Sequence, residues 1–195
     1  IDMHCDTIDR LLGEKDRGGP GVLRENECHL DLLRMKKSGY LLQNFALFVD
    51  QVREDRPWDR VCRLYDCYRE ELEKNKDLIA PVWRYSDIAV NDASGKISSL
   101  LTVEEGGVCG GDLGKLRRLY DMGVRMLTLT WNYPNELGAP NLDTERRREV
   151  RRLKKEWQEL DPGCEEYREK QSLVQGAYEQ MNHTPQIVRG LTERG

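Results

Sequence analysis

Apolar positions fall along this chain in two rhythms, short continuous runs and helical stripes. Ile1 to Asp6 reads as the end of a strand. Ser38 to Asp50, "SGYLLQNFALFVD", is an apolar run bounded by turn and charge signals, which predicts a buried strand. Trp58, Val61, Leu64, Tyr65, Tyr68 and Leu72 then keep a helical spacing, and Pro57 suits the first turn of that helix. Ser98 to Val103 predicts a third strand. Leu113, Leu116, Leu119 and Tyr120 mark a helix closed by Gly123, and Val124 to Trp131 predicts a fourth strand. Strands alternating with helices imply parallel pairing and an α/β fold. Strands that are apolar throughout suit a sheet covered on both sides or a closed barrel.

Residues 141–185 follow another pattern. "DTERRREVRRLKKEWQEL" is dense in both charge signs, with Val150, Leu153, Trp157 and Leu160 on one helical stripe. Asp143 is the expected N-cap, and Pro162-Gly163 the stop. A second helical stretch is expected from Cys164 to Gln180. The block reads as a helical hairpin inserted into a loop, with a solvated, structural role weighed against that of a lid or partner-binding arm.

Composition narrows the picture. A chain of 195 residues suffices for one domain with a core. A net charge of −4 speaks against a nucleic-acid surface. No run approaches the ~18 apolar residues of a membrane span. The six cysteines form no C-x-x-C pair and no disulfide-like framework, so they read as reduced thiols in a cytoplasmic protein.

The chemistry lies at strand ends, where parallel α/β folds build their sites. His4 and Asp6 end the first strand, and their i, i+2 spacing turns both to one face. Glu104 and Glu105 end the third strand, before Gly106-Gly107, while Trp131 and Asn132 end the fourth. H-x-D alone is a weak signal, equally at home on any strand. Several such groups at one rim make a functional reading as good as a structural one.

"IDMHCDT", "HLDLLRMKKSGYLLQNFALFV", "SLLTVEEGG" and "LRRLYDMGVRMLTLTWNYPNELG" together resemble consecutive blocks of the membrane dipeptidase (renal dipeptidase) family of zinc peptidases, and "TWNYPNELG" resembles its bacterial branch. "RGLTERG" resembles the family block that follows. The resemblance implies a (β/α)8 barrel of the TIM type, here about half of one with an inserted helical hairpin. The implied domains are 1–140 for the half barrel, 141–185 for the charged insertion and 186–195 for the start of the next barrel block. It implies two zinc ions, with His4 and Asp6 as ligands and Glu104 as the bridging, catalytic carboxylate. Glu105 is the alternative ligand, and using it requires a one-residue deletion in the following loop. The implied reaction is hydrolysis of a dipeptide by a metal-bridging hydroxide, with no protein nucleophile. Trp131 and Asn132 are the implied substrate-pocket residues.

Two departures stand out. Animal members carry a histidine where this chain has Trp131, and an indole neither accepts a proton nor binds metal. The family's second zinc site also uses two later histidines, and neither His29 nor His183 falls on those blocks. Both are expected to be surface or locally hydrogen-bonded residues. The reading therefore expects a fragment of a longer protein, inactive on dipeptides alone, with a homo-oligomer allowed. Its alternatives are another metal-dependent amidohydrolase on the same barrel, or a non-catalytic member that binds a partner through the hairpin.

Overall fold

A computed structural model describes residues 1–51, 53–138, 140 and 144–182. The chain divides into two compact units, Ile1–Leu129 and Thr130–Gly195.

The first unit is built on five parallel strands: β1 (Asp2–Cys5), β2 (Leu42–Phe48), β3 (Ile79–Pro81), β4 (Ile97–Glu104) and β5 (Val124–Thr128). Parallel neighbours need crossovers, and helices supply them. These are α1 (Thr7–Asp16), α2 (Leu32–Lys37), α3 (Pro57–Lys74), α4 (Ser86–Ala93) and α5 (Leu113–Asp121). β4 pairs along its length with β2 on one edge. On its other edge β3 pairs with Ile97–Ser99, and β5 then pairs with Leu101–Glu104. The long strands thus run β1-β2-β4-β5 in chain order, without the reversal of a doubly wound sheet.

One face of this sheet carries the core. Phe45, Leu47, Leu101 and Val103 are buried in one cluster with Ile8 and Leu11 of α1, Met35 of α2 and Leu64 of α3. The buried Tyr68 hydroxyl lies 2.8 Å from the Ser99 hydroxyl, so a polar group that α3 turns to the sheet is matched. Side chains alternate along a strand, so Glu104 projects from the face opposite Val103. Cys5 lies in the core, and His4 therefore projects from that same opposite face.

The long strands and α3 lie where the sequence pattern puts them, and Pro57 is the first residue of α3. Gly123 follows α5 with φ +99°, a conformation few side chains adopt. Two points differ from the sequence reading. That reading contains neither β3 with its helix α4 nor the helices α1 and α2. The fourth strand also stops at Thr128 rather than Trp131. Its partner β4 ends at Glu104, opposite Thr128, so the later residues have no ladder to join.

The second unit contains α6 (Thr144–Gln158) and α7 (Glu165–Asn182). Val150 and Val174 are buried, and the rings of Trp157 and Tyr167 lie 5.2 Å apart, so the apolar stripe of α6 serves the hairpin itself. Arg152 forks between Glu149 and Glu156, and Lys170 of α7 also meets Glu156. Asp143, His183 and the block at 186–195 lie outside the described residues. Among the described residues no helix is long and apolar enough to cross a membrane.

Candidate metal centre

β1 and β4 are not hydrogen-bonded neighbours, since β2 lies between them. Their ends nevertheless meet above it. His4 Nε2 is 3.2 Å from Glu104 Oε2 and 3.3 Å from Asp6 Oδ1. One ligand atom from each of His4, Asp6 and Glu104 lies within 4.8 Å of the others. His4 and Asp6 are half exposed, while Glu104 is largely covered.

Asp6 occupies the N-cap position of α1, yet its side chain makes no capping bond. Aspartate is among the best capping residues, and Asp31 and Asp112 cap α2 and α5 in the usual way. The carboxylate of Asp6 is turned to His4 instead. Its backbone carbonyl still accepts from the amides of Asp9 and Arg10, so the helix starts without the cap.

The charge at this rim is unbalanced. Burial pushes the Glu104 carboxyl above its ordinary value; His4 opposes this, while Asp6 and Glu105 add to it. Crowded carboxylates with one imidazole between them form a donor set of oxygen and nitrogen that suits a zinc-type cation, which binds such groups at ~2.0–2.2 Å. A cation there would relieve the repulsion that the protein leaves in place.

The other sequence-derived site residues fall differently. Glu105 is 1% exposed and stands outside the cluster, and its carboxylate accepts the Gly107 amide at 2.8 Å. Its backbone stands at φ +102°, the one positive φ of any non-glycine residue among those described. Trp131 and Asn132 belong to the second unit, in irregular chain beyond β5. His29 is exposed, and it lines a cleft of about 630 Å³ together with Asp2, His4, Asp6, Arg10 and Glu27. Nothing in the residue spacing signals that the loop between α1 and α2 forms a wall beside His4. All six cysteines are free, and burial pushes the Cys5 thiol up to about 11, away from the reactive thiolate.

A parallel sheet wound in one direction, with a cluster of groups that could hold a metal at the carboxyl ends of its strands, is the arrangement of a barrel-type α/β scaffold. Residues 1–159 match the model of the membrane dipeptidase family (peptidase family M19), and the chain belongs to that family. Among solved structures, it is similar to the dipeptidase AC, a metallo peptidase of family M19, with 22% identity and a TM-score of 0.64 over 71% of this chain and 44% of that one. It is also similar to a metallo peptidase from Rhodobacter sphaeroides liganded with a phosphinate mimic of the dipeptide L-Ala-D-Ala, with 19% identity, a TM-score of 0.62, and coverage of 71% and 47%. A probable dipeptidase, PvdM, from Pseudomonas aeruginosa gives 14%, 0.57, 75% and 47%. This chain therefore spans under half the length of these relatives. Its fold is a partial (β/α)8-type barrel.

Proposed function

We propose that this chain is the metal-binding part of a zinc-dependent dipeptidase, in which His4, Asp6 and Glu104 would hold the metal and Glu104 would be the carboxylate shared by a two-ion centre. The convergence of these three side chains from the ends of two strands that are not neighbours carries the reading. When bound, such ions lower the pKa of water and polarise a scissile carbonyl. The chain's own contribution is geometric and electrostatic. β1 and β4 fix one imidazole and one carboxylate on the face of the sheet opposite the core, and the start of α1 adds the second carboxylate. The largely covered position of Glu104 keeps water from competing for its oxygens, and the half-exposed His4 and Asp6 leave a side open to a ligand. The adjoining cleft has room for a dipeptide, and Arg10 and Glu27 in its walls have the charges that a zwitterion's two ends call for. A dipeptide such as L-Ala-D-Ala, of the kind mimicked in the Rhodobacter sphaeroides structure, is the substrate class to test. Further ligands for a second ion would have to come from outside the cluster described.

The test is a zinc titration of the chain, with stoichiometry by elemental analysis. The expected result is zinc bound in a defined ratio by the wild type and lost in both His4→Ala and Glu104→Gln. Equal zinc in all three proteins would overturn the assignment.

A further inference from the structure

A side chain at φ +102° and ψ +92° is rare, because the Cβ atom crowds the neighbouring backbone there. Such conformations are costly and persist only where the surroundings enforce them. At Glu105 an enforcing contact is visible. Glu105 is buried, and its Oε1 accepts the amide of Gly107 at 2.8 Å, two residues on. That bond closes the chain into a tight bend at the start of the short helical turn Gly106–Cys109. The turn is also packed from outside. A Cβ at Gly107 would meet the far end of the Gln51 side chain, which lies against the turn and would have to swing aside.

We infer that Glu105 is a positioning residue for the metal centre: its buried carboxylate, bonded to the Gly107 amide, holds the left-handed bend that ends β4 and keeps Glu104 turned toward His4 and Asp6. The inference rests on the reading of that cluster as a metal site. The bond offsets strain at the residue that makes it, so its loss favours relaxation of the chain toward an ordinary φ. Relaxation would swing the end of β4, and with it the Glu104 carboxylate that lies 3.2 Å from His4.

Three substitutions in the full chain separate the parts of this argument. Glu105→Gln keeps an oxygen that can accept the Gly107 N–H. Glu105→Ala keeps the Cβ strain and loses the acceptor. Glu105→Gly loses both. Zinc affinity is measured by competition with a chromophoric chelator, and the protection of the Gly107 amide by hydrogen exchange in the metal-free chain. The expected result is a loss of about 10–100-fold in zinc affinity for Glu105→Ala, the range typical of groups that orient ligands, with Glu105→Gln close to wild type. Glu105→Gly should fall between them and melt above Glu105→Ala, because glycine removes the strain. Gly107 protection should be lost in the alanine and glycine variants and kept in the glutamine variant. Wild-type zinc affinity in Glu105→Ala, or no rescue by glutamine, would overturn the inference. If the wild type binds zinc no better than Glu104→Gln, the metal reading fails. Exchange at Gly107 then still decides whether the carboxylate holds the turn.

Discussion

Two clusters of carboxylates in the first unit make an instructive pair. On the seam between α1 and α3, Glu71 is 1% exposed, but its charge is answered on both oxygens. Its Oε2 accepts the Leu23 amide at 2.8 Å, and its Oε1 meets Lys15 at 3.0 Å and Lys74 at 3.2 Å. The rim cluster has two carboxylates around one imidazole, with Glu105 close behind, and no lysine or arginine is paired with Glu104 or Asp6 in the contacts described. Burial with matched charge fastens helices together. Burial with unmatched negative charge costs stability, and groups held that way are candidates for a functional role.

The largest effect that sharpens this comparison is on the seam. Glu71→Ala leaves the Leu23 amide and two ammonium groups without this acceptor, and should destabilise the chain by about 2–3 kcal/mol. Urea unfolding measures it. A loss no larger than that of an exposed substitution would show the seam to be incidental.

The rim should respond with the opposite sign. In the metal-free chain, Glu104→Gln removes a charge that burial and its carboxylate neighbours disfavour, so its melting temperature should equal or exceed that of the wild type. With zinc present the order reverses, because ligand binding stabilises only the protein that holds the ion. Melting curves with chelator and with zinc report both halves. A metal-free Glu104→Gln that melts well below the wild type would mean that this carboxylate is structural, like Glu71.

One of these clusters is legible in the sequence and the other is hidden. β2 and β4 show as apolar runs because nearly every residue in them is covered, and α3 shows as a stripe because one side packs on the sheet. Strand ends point to His4 and Asp6 and to the pair Glu104 and Glu105, and the choice of Glu104 from that pair rests on the family resemblance rather than on alternation. β3 has three residues, too few for any rhythm, and the short α2 and α4 are set by their tertiary contacts. Asp6 carries a signal in its failure to cap, but only the folded chain displays it. Lys15 pairs with Glu70 and Glu71 across 55 and 56 positions of chain, and no local pattern announces such a pairing. The bend at Glu105 is hidden for a different reason: glutamate is an unusual choice for a left-handed position, so residue type points away from it.

The smallest effect concerns pH. The Glu70 carboxyl is pulled from 4.5 down to about 2, first by the hydrogen bond from Lys74 and then by that from Lys15. A folded-state pKa below the unfolded one means that the charged form favours folding. The contribution is therefore complete above about pH 4.5, and it is lost as pH falls toward 2. Glu70 is 53% exposed, so water and salt screen its pairs and the contribution is modest. Urea midpoints taken between about pH 6 and pH 2 should fall more steeply for the wild type than for Glu70→Gln, which has no proton to gain. The two curves should converge as the pH nears 2, and added salt should narrow the gap at higher pH. Parallel curves across that range would mean that Glu71 alone carries the seam, and that Glu70 is a solvated charge beside it.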